Sequence, residues 1–329
     1  MGVLQAFLHA DVLGTDTWLW LLFLGIVLAL LAFDLGVLHR RKHEVGVRES
    51  LWLSTGYICA GLLFGAWVWR QKGPIDGMDY FTGYLVEKSL SMDNIFVMAM
   101  IFRYLAVPRL YQHEVLFWGI LGVILLRGLM IGLGAALVKE FSWILYAFGA
   151  FLLVTGAKLL FTRAGDEPDM ADNRLLGFLR RHLRVTDGLH EGRFFVRQAD
   201  SRGRRQLWGT PLFLALLMIE FTDLIFAVDS VPAIFAITQD TFIVYTSNIF
   251  AVLGLRALYF ALAAMIHRFV YLKYALALVL IFIGGKIFLV GIVGKLPAWI
   301  SLSVTLGLLL GGVLLSLAKT SGKRGGRES

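Results

Sequence analysis

Cysteine is nearly absent. The one in 329 residues, Cys59, lies inside an apolar segment, which excludes an intrachain disulfide and any cluster of thiolate ligands. Charge is scarce too. Asp, Glu, Lys and Arg make up 16% of the chain, against roughly a quarter in soluble domains. The apolar runs lack histidine in their interiors: His9, His39, His43, His113, His182, His190 and His267 fall outside them or at their margins. A zinc site built on His or Cys is therefore not expected. No P-loop or other nucleotide motif occurs, which argues against ATP drive. No nucleophile–base arrangement is visible, so no enzymatic activity is expected. The opening MGVLQAFLHADVLGTD has neither a basic region nor a small-residue cleavage site, and the first apolar run is expected to be a retained helix.

What is present is apolar length. Hydrophobic residues make up 58% of the chain and mean hydropathy is +0.74. About nine runs reach the roughly 20 residues a bilayer crossing needs: 17–38, 50–69, 80–104, 114–137, 142–162, 210–236, 242–265, 274–293 and 297–318. The expected fold class is an all-α polytopic membrane protein. The net charge of +8 then reads as topology rather than nucleic-acid binding. HRRKHEVGVR (39–48), the region after Arg103, the 163–208 loop, HRFVYLK (267–273) and the tail KTSGKRGGR are basic, whereas the alternate connections hold only Arg70, Lys72, Lys139 and Lys295. The positive-inside rule places the N-terminus outside and the C-terminus in the cytoplasm.

The 163–208 loop holds ten arginines and no lysine. LLGFLRRHL (175–183) has an amphipathic pattern, and RFFVRQADSRGRRQLW (193–208) reads as a hairpin turning near Asp200–Gly203. The expected role is a solvated linker against anionic lipid heads, with regulation or partner binding as the alternative.

The chain also repeats itself. DNIFVMAMIF at Asp93 matches DLIFAVDSVP at Asp223. LLRGLMIGLGAAL, with Arg127, matches LGLRALYFALAAM, with Arg256. YAFGAFLLVTGAKLLF, with Tyr146 and Lys158, matches YALALVLIFIGGKIFL, with Tyr274 and Lys286. Asp-to-Arg spacing is 34 and 33 residues, and Tyr-to-Lys spacing is 12 in both. Three spans per copy make the second enter from the opposite side, an inverted 3+3 repeat of the kind that places a substrate between its halves near the bilayer midplane. The resulting division is 1–79, an extension with two spans; 80–162, the first repeat; 163–209, the basic loop; 210–293, the second repeat; and 294–329, the last span and tail.

Five carboxylates lie within the third and sixth spans. Glu220, Asp223 and Asp229 in IEFTDLIFAVDSVPAIF would together cost about 8–10 kcal/mol if central and ionised, while the span's fourteen Leu, Ile, Val and Phe return only about 4–8 kcal/mol. These acids must face protein, bind a cation, meet Arg or Lys, or be protonated. In the third span Glu87, Ser91, Asn94 and Met98 fall on one stripe, with Asp93 nearby. Glu220 and Asp223 are i, i+3 neighbours, whereas Asp229 points away on a regular helix. Pro232 removes a donor to the Val228 carbonyl, so a break near Asp229–Pro232 is expected to turn Asp229 inward. Oxygen donors of this kind suit Mg²⁺, Ca²⁺ or Mn²⁺. Thioethers from Met92, Met98 or Met218 would tilt the preference towards Mn²⁺, unless these methionines only fill gaps. The competing use of the acids is ion pairing with Arg127, Arg256, Lys158 and Lys286. Asp34 stands alone and reads as structural.

At EKSLSMDNIFV and IEFTDLIFAVDSVPAIF, and in HEVGVRESLWLSTGYICAGLLFGAWVW, the chain resembles the TerC family of integral membrane proteins, most closely its Alx-like branch. The resemblance covers nearly the whole chain. It implies a manganese exporter of the bacterial inner membrane, with a site at Glu87, Asp93, Glu220, Asp223 and Asp229 and with Asn94 and Ser230 adjacent. Manganese would be cargo, no prosthetic group is expected, and protons are the expected exchange partner. Alternatives are export of Ca²⁺ or other divalent ions, proton or sodium transport without metal, and a non-transporting membrane scaffold or stress factor.

Overall fold

A computed structural model describes residues 7–38, 46–141, 143–161, 174–186, 188–199, 205–262, 271–294 and 296–322. The basic residues of 39–45 and 267–270, the far end of the tail and the expected hairpin turn lie outside the described residues. The principal helices are α1 (Thr17–Leu38), α2 (Val47–Lys72), α3 (Pro74–Tyr104), α4 (Arg109–Glu140), α5 (Ile144–Phe161), α6 (Arg174–His182), α7 (Pro211–Ile237), α8 (Thr241–Leu253), α9 (Leu255–Leu262), α10 (Leu272–Val293) and α11 (Ala298–Gly322). Eight candidate crossings are long and apolar enough to span a membrane, α8 and α9 counting together as one. The ninth expected span is α3. It is 31 residues long but carries Asp76, Asp79, Glu87, Lys88 and Asp93. The protein is an all-α multi-pass membrane protein.

Two expectations about helix continuity change. α7 runs unbroken through Pro232. Membrane helices tolerate proline because neighbouring helices and small local adjustments can satisfy the freed backbone groups. The interruption comes instead at Gly254, between α8 and α9. There the Lys88 ammonium donates to the Ala251 carbonyl at 3.0 Å, supplying a positive charge at the carbonyl end of α8. A Cβ at Gly254 would lie 3.0 Å from the Tyr57 Cβ and 3.1 Å from the Lys88 Nζ, so α2 and Lys88 both approach this break closely.

At the centre α3 packs on α7 and α8, and α4 packs on α7 and α8. α5 lies against α10 along a seam of small residues: a Cβ at Gly156 would fall 2.8 Å from the Ala277 carbonyl, and one at Gly284 would fall 2.8 Å from the Gly149 carbonyl. Membrane helices associate through such close backbone approaches, since lipid is as apolar as leucine and gives no hydrophobic drive. α2 and α9 pack together outside the centre, and α11 covers α10 and α3.

The basic segment is not a free linker. α6 forms as its amphipathic pattern requires, and Leu176 and Leu179 are buried in one apolar cluster with Ile101, Phe102, Val115 and Tyr259 from the spans. Phe195–Ala199 pairs antiparallel with Arg205–Gly209, and the Thr210 amide donates to the Phe194 carbonyl at 3.0 Å. A smaller hairpin, Asp11–Val12 with Thr15–Asp16, turns at Leu13 and Gly14 with positive φ at both, the requirement of a type I′ turn.

Candidate functional site

The stripe on α3 is buried as its spacing demands: Glu87, Ser91, Asn94 and Met98 all face the interior. Opposite it, α7 presents Asp223. Between them stands Arg127 of α4. Glu87 is 2% exposed, Asp223 and Arg127 1% each, and Asn248 of α8 0%. Four helices thus meet on one polar centre inside an apolar body.

Each contact there is charge-assisted or closes a buried polar group. Arg127 grips Asp223 as a fork, Nε to Oδ2 at 3.1 Å and Nη2 to Oδ1 at 2.9 Å. Its Nη1 donates to Glu87 Oε1 and, at 3.1 Å, to Asn248 Oδ1. The Asn248 amide donates to Glu87 Oε2 at 2.8 Å, and the Asn94 amide donates to Asp223 Oδ1 at 2.9 Å. Ser91 Oγ reaches Glu87 Oε1 only at 3.4 Å, a long contact. Two carboxylates against one guanidinium leave one net negative charge. Asn94 Oδ1, Glu220 Oε2 and Ser230 Oγ are buried around this region without a hydrogen-bond partner. Beside the two acids, the Asn94 and Glu220 oxygens are therefore open to a further donor or a cation, and Ser230 lies two turns further along α7.

Glu220 lies one turn before Asp223, with its carboxyl group packed against Gly122 of α4. A Cβ at that position would displace the Glu220 carboxyl group. The remaining acids part company with the centre. Asp229 faces α5, hydrogen-bonded to Thr155 and near Lys158, because α7 keeps its helical phase through Pro232. It does not join Glu220 and Asp223. Asp93 is half-buried and lies in the field of Lys273 on α10. Among the described residues, no three Asp, Glu, His or Cys side chains converge on a ready-made metal site. Met98 and Met218 belong to an apolar cluster, and Met92 packs against another, so all three serve packing.

The expected counter-charges are dispersed. Arg127 meets the central acids. Arg256 pairs instead with Asp34 of α1, which is therefore not alone; Tyr57 also hydrogen-bonds Asp34. Lys158 attends Asp229. Lys286 faces Asp79 and donates to Ser301 Oγ at 2.9 Å, beside a cavity of about 620 Å³ lined by residues such as Asp79, Tyr146, Thr238 and Lys286. Sequence reasoning missed Asn248 and Lys88. The signal for Asn248 was the polar run Thr246-Ser247-Asn248 within an apolar span. For Lys88 it was a cation next to Glu87 in the same motif.

A family model for the TerC family of integral membrane proteins matches residues 72–324. An uncharacterized membrane protein of Myxococcus xanthus is 47% identical over 302 residues, covering 92% of each chain. One from Rickettsia bellii is 45% identical over 300 residues, 91% of this chain and 97% of the relative. The putative membrane-bound redox modulator Alx of Escherichia coli is 44% identical over 301 residues, 89% of this chain and 92% of the relative. No solved structure matches. The chain belongs to the TerC family of integral membrane proteins.

Proposed function

We propose that the protein is a secondary transporter that exports Mn²⁺ from the cytoplasm through the Glu87–Asp223 centre, in exchange for protons. One observation carries this reading: two carboxylates on different helices, both buried in mid-helix, share a single arginine, so the hydrogen-bonded set is one positive charge short, with the Lys88 ammonium held outside it on the Ala251 carbonyl. Intramembrane ionisable groups are costly and mark ion pathways. The donors are carboxylate, amide and hydroxyl oxygens, the set that suits hard divalent cations. Glu87, Asp223, Asn94 and Asn248 would form the inner set, with Glu220 and Ser230 beside them. Glu220, one turn before Asp223 and outside the Arg127 pairing, would carry the proton that leaves as metal binds, and this supplies the exchange.

The packing supports an inverted repeat. Exchanging α3, α4 and α5 with α7, α8 and α10 turns the α4–α7 contact into the α8–α3 contact and returns the α3–α7 and α5–α10 contacts to themselves. In this reading the chain lies in the bacterial inner membrane with its N-terminus outside and its C-terminus in the cytoplasm, and the repeats rock about the centre. The word redox in the name of the Alx relatives finds little to act on here, since the single Cys59 offers no dithiol pair.

Ca²⁺ is the second reading, favoured by the placement of all three nearby methionines in apolar packing, which leaves an oxygen-only set. Everted vesicles should accumulate Mn²⁺ when the chain is present, Ca²⁺ should compete poorly, and Glu87→Gln and Asp223→Asn should each abolish uptake. Wild-type uptake by both variants would sink the site and favour the scaffold reading, in which the docked basic segment is the working part.

A further inference from the structure

Arg127 stands where a cation would. The centre holds six oxygens from four side chains, both of Glu87, both of Asp223 and the Oδ1 atoms of Asn248 and Asn94, and four of them accept from the guanidinium: Glu87 Oε1, both of Asp223 and Asn248 Oδ1. Two amide groups complete the cage. Asn248 bridges Arg127 and Glu87, and Asn94 is fixed to Asp223 while its own oxygen has no partner. Six oxygens with two carboxylates is the kind of shell that a hard divalent ion takes.

We infer that Arg127 is a tethered stand-in for the cargo: guanidinium and divalent cation hold the same carboxylates in turn, and the transporter resets with Arg127 in place. The inference rests on reading Glu87 and Asp223 as the cargo site. Two carboxylates with neither ion nor arginine are strongly disfavoured in a dry interior, so a reset without a positive group would stall. Arginine suits that task because its charge cannot be titrated away. It is also an incomplete substitute. A divalent ion neutralises both acids, whereas the guanidinium leaves one negative charge; as a divalent ion displaces it, Glu220 gives up its proton and its carboxylate takes over the freed guanidinium, while a monovalent ion gains nothing over it.

This role and a merely structural one differ in sign. If the arginine-held form accounts for about nine molecules in ten, it weakens apparent cargo binding about tenfold, and removing the competitor restores that factor. A structural arginine, once removed, would weaken binding. In the purified full chain, Arg127→Gln should bind Mn²⁺ about tenfold more tightly. In proteoliposomes it should keep Mn²⁺/Mn²⁺ exchange while losing most net export, because exchange never requires the reset. Arg127→Lys keeps the charge without the fork, so it should bind Mn²⁺ somewhat more tightly than wild type and retain net export. If Arg127→Gln fails to fold by thermal melting, the sign of the affinity change in Arg127→Lys decides. Weaker Mn²⁺ binding in whichever variant folds, or exchange and net export falling in parallel, would overturn the inference. Glu87→Gln and Asp223→Asn run beside them. Wild-type Mn²⁺ binding in both overturns the site itself. Lost binding there, with weakened binding in the Arg127 variants, overturns the stand-in alone.

Discussion

Arg127 and Arg256 hold matching places in the repeated sequence, 34 and 33 residues after Asp93 and Asp223, yet they keep different company. Arg127 lies between Glu87 of α3 and Asp223 of α7. Arg256 reaches out to Asp34 of α1, the first of the long helices, and lies over the Phe117 ring at 5.9 Å. The difference teaches that two arginines at matching sequence positions can carry the same charge to different uses. What packs alongside decides whether the arginine serves a site or fastens an accessory helix.

The comparison breaks most visibly on the Arg256 side. Arg256→Leu strands the buried Asp34 carboxylate and should cost about 3–5 kcal/mol of stability, whereas the double variant with Asp34→Leu should recover most of it. Thermal unfolding in detergent measures both, and a double variant no better than the single would refute the pairing. A smaller effect is expected at Asn248→Ala, which removes a donor from Glu87 and an acceptor from Arg127. About 1–3 kcal/mol should be lost, with Mn²⁺ uptake falling far more than in the Arg256–Asp34 double variant. Gly156→Ala sharpens the contrast between site and scaffold. Overpacking the α5–α10 seam should cost about 1–3 kcal/mol without changing Mn²⁺ affinity. The smallest change is expected at Lys158→Gln, whose exposed ammonium attends a half-buried Asp229. Less than about 1 kcal/mol should be lost, and vesicle uptake should stay within twofold of wild type.

Span positions were legible because apolar length and hydrogen-bond satisfaction leave a membrane chain few choices. α1 and α7 fall within a residue of the runs that announce them. The Glu87–Asn94 stripe was legible from helical spacing alone. Helical phase also argued against Asp229 joining the centre, and only the expected break at Pro232 overrode it. The structure keeps the phase, so Asp229 turns to Thr155 and Lys158 instead. Asp93 escaped for a different reason: its neighbour Lys273 lies 180 residues away and no local pattern announces it. The break at Gly254 depends on Tyr57 and Lys88 crowding a glycine, a tertiary fact. Asn248 carries no charge, so the cost argument that exposes buried acids passes over it.

The unbalanced charge at the centre has an electrical consequence. If Glu87, Asp223 and Arg127 reset together from outward-facing to inward-facing, they carry one negative charge towards a cell interior that is itself negative. Full passage of one charge is worth about 2.3 kcal/mol per 100 mV. The reset then works against the membrane potential, while the loaded centre, in which the divalent ion, both acids, the tethered Arg127 and a Glu220 that has given up its proton sum to zero, crosses without feeling it. Export in vesicles clamped at set potentials should accelerate on depolarisation when the reset limits the rate, and Mn²⁺/Mn²⁺ exchange should be indifferent to voltage. Equal voltage dependence of the two would show that the charge moves elsewhere. On this account the arginine at Arg127 makes the protein sensitive to the energy state of its membrane as well as to its metal supply.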